Sequence, residues 1–247
     1  MRLFKSAAFL SALLALGGCN MVQNDQEFGD RVHNYLVSHP EVIEEALTSL
    51  QQKQLAETAS DAKGKISANR AALDADPRDF VIGNPKGAIT IVEFFDYRCG
   101  YCKAAQPELE QLLAQNGDVR LVLKEFPILP DHDGRLGVSL RAARAALAAG
   151  AAGKYTSVHQ ALMAKKTLDD DAINQILTAN GLNPATIKTS GEADTVTEHL
   201  TAVHSLGNTI GVQGTPAFII GDTMIAGADM EALKAAITQA RNKPAAN

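Results

Sequence analysis

Along this 247-residue chain the spacing of apolar residues changes character several times, and each change predicts an element. The first apolar run, Ala7 to Leu16, follows Arg2 and Lys5 and is too short to span a bilayer, the form of an export signal over residues 1–18. After a polar tether, Asn20 to Gln26, the residues Phe28, Val32, Tyr35 and Leu36 recur at helical spacing. Ser38-His39-Pro40-Glu41 then has the form of a capping box with proline in the first turn. The helix it opens carries Val42, Ile43, Ala46, Leu47 and Leu50 as its stripe. Gln51 to Ala75 holds few large apolar residues and predicts a long, mostly solvated helix or stalk, so residues 20–75 form a helical leader. The stripe needs cover, either on the chain's own sheet domain or against copies of itself; the stalk would hold it away from that domain, so self-association is expected.

The pattern changes at Asp76-Pro77. Phe80-Val81-Ile82, the turn residues Gly83 to Gly87 and the β-rich run Ala88 to Phe95 predict strand, turn, strand. A helical period starts at Cys99 and Cys102 and runs to about Asn116, with Pro107 expected to kink it. Val119 to Phe126 is the next strand, closed by Pro127 and Pro130. Residues 134 to about 210 read as helices, with segments at Leu136 to Leu147, Tyr155 to Met163, Ala172 to Ala179 and Glu192 to Leu206. Strand signals return at Val212 to Ile220 and Thr223 to Ile225, and a last helix runs from Asp229, as N-cap, to about Ala240. The order predicts an α/β sheet domain, 76–133 with 211–240, interrupted by an inserted helical subdomain over 134–210.

Composition narrows the chemistry. With 46% hydrophobic and 21% charged residues and a formal charge of −5, the chain suits one ordinary domain with an accessory segment, and no basic patch points to nucleic acid. Its three cysteines are Cys19, Cys99 and Cys102. The last two flank Gly100-Tyr101 where a strand gives way to a helix, which puts Cys99 at a first turn, where free N–H groups and the helix dipole favour a thiolate. Cys102, one turn on, is within reach for a disulfide. Structural zinc needs four ligands, and no second Cys-x-x-Cys or compact Cys/His pair supplies them, so neither a metal nor a cofactor is expected. A purely structural bridge closing so short a loop would restrict the unfolded chain very little. The reading is thiol–disulfide exchange. Glu93, in an otherwise apolar strand, is expected to be buried with a raised pKa and to pass protons to and from Cys102, with Lys124 in the neighbouring strand as its partner. Of the histidines, His132 is placed to approach the site, whereas His33, His39, His159, His199 and His204 read as helix or surface residues.

Three features together carry a resemblance: Glu93 to Cys102 (E-F-F-D-Y-R-C-G-Y-C), Gly214-Thr215-Pro216-Ala217, and the helical insertion. Over about Ala75 to Ala240 the chain resembles the DsbA family of thioredoxin-fold enzymes exported by bacteria. The resemblance implies a thioredoxin fold, an acidic residue at Glu93, and a cis Thr215-Pro216 bond facing the cysteines, where residue 215 pairs with an extended client segment. Leu16-Gly17-Gly18-Cys19 resembles the lipobox of bacterial lipoproteins, which implies acylation of Cys19 and, with Asn20 next, an outer-membrane anchor on the periplasmic side. Cleavage by the general signal peptidase after Gly17 or Gly18 is the other outcome. Gly100-Tyr101 and Thr215 depart from the DsbA archetype and resemble the active site of the isomerase DsbC. Together with the leader, they are similar to the ScsC and BcfH group, which implies homotrimers, clients that are exported proteins with disulfides, and a membrane electron donor of the DsbD kind. Two other functions stay open here: a DsbA-like oxidase served by a DsbB-type partner, and a metal-tolerance protein whose thiols hold Cu(I).

Overall fold

The computed structural model describes residues 19–131 and 133–242. The signal segment and His132 lie outside the described residues. The chain divides into two compact units, Met1–Thr58 and Ala59–Asn247.

In the first unit, helix α1 (Cys19–Ser38) includes the stretch expected as a tether, and α2 (Glu41–Ala68) begins after a break at His39-Pro40. Proline has no N–H with which to continue a helix, and it disfavours helical backbone in the residue before it. The Ser38 hydroxyl donates to the Asn34 carbonyl at 2.7 Å, so it finishes α1 instead of capping α2. Phe28, Val32, Tyr35, Val37, Ile43, Leu47 and Leu50 are exposed.

In the second unit, the end of α2 and the short α3 (Arg70–Asp74) are exposed at most positions. Ile66 and Leu73 are fully buried there. Each such burial is worth about 1.5–3 kcal/mol, which suffices to seat a polar segment by two anchors. Strand β1 (Phe80–Gly83), β2 (Ile89–Phe95), helix α4 (Gly100–Gln115) and β3 (Val119–Glu125) come next. The insertion comprises α5 (Gly137–Gly150), α6 (Tyr155–Ala164), α7 (Asp170–Ala179), α8 (Pro184–Gly191) and α9 (Asp194–Ile210). Then come β4 (Ala217–Ile220), β5 (Thr223–Ala226) and α10 (Met230–Asn242). Helix α8 was not expected; Asn183 caps it by accepting from Thr186 N at 3.1 Å, with Pro184 in the first turn. Pro107 sits inside α4, which continues through it. Among the described residues no helix is long and apolar enough to cross a membrane.

The strands form one sheet in the order β1-β3-β2-β4-β5, with β2 and β3 parallel and the other pairs antiparallel. Side chains alternate between its faces. Ile91, Phe95, Leu121 and Leu123 pack with Leu109 and Leu112 of α4 and Leu233 and Ile237 of α10. Val92, Phe94, Val122 and Ile219 pack on the other face with Ile66, Leu73 and, from α9, Val203, Leu206 and Ile210. Gly207 lets α9 come close, since a Cβ there would meet the ring of Phe126 at 2.7 Å. Expected fold and observed fold agree: this is an α/β thioredoxin fold with a helical insertion, preceded by a helical region.

Candidate active site

Cys99 is the N-cap of α4, with extended backbone at φ −70° and ψ 117°. It is 6% exposed and Cys102 1% exposed, and both are free thiols. The sheet delivers the second wall of the site. Thr215 and Pro216, joined by a cis bond, immediately precede β4, which pairs with β2, and Cys99 Sγ donates to the Thr215 carbonyl at 3.1 Å. Gly100 leaves the mouth open, since a Cβ there would meet nothing within 4 Å, and Tyr101 beside it is 71% exposed.

These surroundings separate the two thiols. The Cys102 thiol, donating to the Cys99 sulfur, lowers the Cys99 pKa most; burial opposes it, and the Thr215 side chain and the N–H groups of Cys102 and Tyr101 lower it further, to about 5. A hydrogen bond from the Cys99 thiol to the Thr215 carbonyl favours the protonated form, and the net shift is downward all the same. Cys102 is pushed up, first by its bond to Cys99, then by burial and the nearby Glu93 charge. The first shift favours the thiolate of Cys99 at neutral pH, and the second favours the protonated thiol of Cys102.

The loop before Cys99 is tied down by Asp96. Its carboxylate accepts from Arg98 N at 2.8 Å, Ser139 Oγ at 2.8 Å, Ile128 N at 2.9 Å and Leu129 N at 3.0 Å. Arg98 adds an ion pair to Asp131 at 2.6 Å. Four donors on one buried carboxylate fix the approach to the helix without a counter-charge.

Glu93 is where the sequence placed it, 1% exposed on the α4 face, with its pKa raised to about 8 by burial and then by the charge on Cys99. Its Oε2 has no hydrogen-bond partner among the described residues. Lys124 is a correction. The register sets Phe94, not Glu93, opposite Lys124, so its side chain emerges on the other face of the sheet. There its ammonium bonds Asp79 and the Ala72 carbonyl at 2.6 Å, next to His199. The sheet separates it from Glu93, and the two do not pair.

The acid that does share the face of Glu93 is Glu125. Its Oε1 accepts from Tyr97 Oη and Tyr155 Oη, both at 2.8 Å, and His159 Nδ1 lies 3.0 Å from Tyr97 Oη. His159 is 1% exposed and His199 3%, so neither is a surface residue. The alternation L-V-L-K-E-F carried the missing signal, because it puts Lys124 and Glu125 on opposite faces of a strand buried on both. Of Cys19 only the helical backbone is described.

Residues 90–238 match the family model of the DSBA-like thioredoxin domain, and residues 25–57 match that of the copper resistance protein ScsC N-terminal domain. Among solved structures, a thioredoxin-like oxidoreductase from Silicibacter pomeroyi is 38% identical, covers 71% of this chain and 99% of its own, and superposes with a TM-score of 0.66. BcfH of Salmonella enterica Typhimurium is 28% identical, covers 91% of this chain and 98% of its own, and has a TM-score of 0.72. A Na(+)/H(+) antiporter, NhaA 1 of Salinispora arenicola, is 31% identical over 179 residues, 68% of this chain but 26% of that protein. The chain spans about a quarter of the length of the first curated relatives it matches.

Proposed function

Since the chain belongs to the DSBA-like thioredoxin family, as a thiol-disulfide oxidoreductase of the ScsC type, we propose that it isomerises or reduces disulfides of exported proteins through Cys99 and Cys102. The observation that carries this reading is the Cys99 sulfur against Thr215, with donors around it that favour its ionised form. The thiolate attacks a client disulfide; a bond forms between Cys99 and one client sulfur, and the other leaves as thiolate. That thiolate can attack elsewhere in the client and expel Cys99, which is isomerisation. Alternatively Cys102 expels the client, which leaves it reduced and the enzyme oxidised. Glu93 is the proton acceptor for Cys102 in this second route.

Work as an isomerase requires the pair to be kept reduced, so the partner is a membrane electron donor of the DsbD type. The clients are cysteine-bearing proteins of the bacterial envelope, and the place is its periplasmic side, with Cys19 as lipid anchor. The exposed leader stripe, Phe28 to Leu50, supports a homo-oligomer, a trimer by the resemblance, in which several sites face one client. Reactivation of scrambled ribonuclease by the reduced protein tests the reading, with Cys99→Ala inactive. Rapid oxidation of reduced peptides with no such reactivation would assign an oxidase instead.

A further inference from the structure

The parallel register pairs Glu93 with Leu123 and Phe95 with Glu125, so the two glutamates are diagonal neighbours on one sheet face. Each is 1% exposed. Neither has an ion-pair partner among the described residues, and Lys124 is turned away. Glu93 faces Cys99 and Cys102 at the start of α4, while Glu125 faces Asp96 and Tyr97 of the preceding loop and Tyr155 of α6, with His159 behind Tyr97. Asp96 is filled by its four donors, and Lys103 spends its ammonium on the Leu162 and Lys165 carbonyls, both at 2.8 Å. Burial pushes His159 down to about 3, so it stays neutral. Burial likewise lifts Glu125 to about 8; the phenols pull it down, while charge on Asp96 and Glu93 raises it. Two carboxyls in a dry region without a cation do not ionise independently.

We propose that Glu125 is a positioning residue of the exchange reaction: its carboxyl holds the Tyr97 loop and shares one negative charge with Glu93, so that it sets when Glu93 can take the Cys102 proton. The proposal rests on the exchange reading above. In the step concerned, the Cys102 thiol gives its proton to the Glu93 carboxylate and its sulfur attacks Cys99 Sγ. The bond between Cys99 and the client sulfur breaks, the client leaves as thiolate with the electron pair, and the Cys99–Cys102 disulfide forms. Charge on Glu125 makes Glu93 a stronger base and delays its ionisation to higher pH.

Glu125→Gln keeps an acceptor for both phenols and removes the charge. The measurement is the pH profile of glutathione release from the Cys99–glutathione mixed disulfide. The rising limb should move to lower pH by about half a unit or more in Glu125→Gln. It should not move when the same change is made in a Glu93→Gln background. An unmoved limb in a folded Glu125→Gln protein overturns the proposal. If that variant does not fold, a carboxyl 13C titration of the reduced wild-type protein decides: two separated steps, one above about pH 7, support it, and both glutamates titrating together below about pH 5 overturn it. Failure of Cys99 to form the mixed disulfide would remove the exchange reading itself, and the carboxyl titration would then stand as the test of the coupled pair.

Discussion

The sulfur of Cys99 and the carbonyl oxygen of Thr215 are 3.1 Å apart, although 116 residues separate them in the chain. The whole helical insertion lies between them in sequence, and the pairing of β2 with β4 brings them together. The nucleophile is thus framed by two distant segments, the start of α4 and the turn before β4, and its acidity depends on both.

Thr215→Val removes a side-chain donor and keeps the shape. The Cys99 titration midpoint, read from thiolate absorbance, should rise by roughly one pH unit, the size of a hydrogen bond to a charged group. An unchanged midpoint would mean that the helix start alone acidifies the thiol.

Lys124 and Asp79 are a buried pair on the far face of the sheet, 1% and 2% exposed. Lys124→Met strands the Asp79 carboxylate and should cost roughly 3–5 kcal/mol in denaturant unfolding, with a smaller loss when Asp79→Asn is added. Cys99 alkylation at neutral pH should be unchanged. Slowed alkylation in the folded variant would return Lys124 to the site.

The exposed leader stripe should hold copies of the chain together. The protein should sediment above monomer mass, and Leu47→Asp with Leu50→Asp should convert it to monomer. Monomers should keep Cys99 reactivity and lose much of the ribonuclease reactivation, because only linked sites raise the effective concentration at one client. A wild-type monomer at micromolar concentration would contradict this.

The fold and the reactive pair were legible in the sequence where local pattern and chemistry coincide. The change from period 2 to period 3.6 at Cys99 locates a sulfur at a helix start, and one apolar run after another orders the strands and helices. Glu93 stood out as a lone acid in an apolar strand. What escaped was set by register. Lys124 and Glu125 are adjacent and both charged; alternation puts them on opposite faces, and the pairing of β3 with β2 decides which one shares the face of Glu93. The Tyr97, Tyr155 and His159 cluster needed α6 to be folded against β3, a contact no spacing encodes. The end of the leader read as solvated on composition, yet two buried residues, Ile66 and Leu73, sufficed to join it to the second unit's core.

The central claim is that the Cys99 thiol is ionised at neutral pH, and the pH dependence of its alkylation in the reduced protein tests this directly. The folded-state pKa lies below the ordinary thiol value, so ionisation stabilises the reduced form in full above about pH 8.5, less as pH falls, and not at all once pH drops through the folded value. Alkylation rate should therefore rise to a plateau around a midpoint of about 5, and the unfolding free energy of the reduced form, relative to the oxidised one, should climb over the interval above it. A midpoint in the range of free cysteine, with no such climb, would contradict the account.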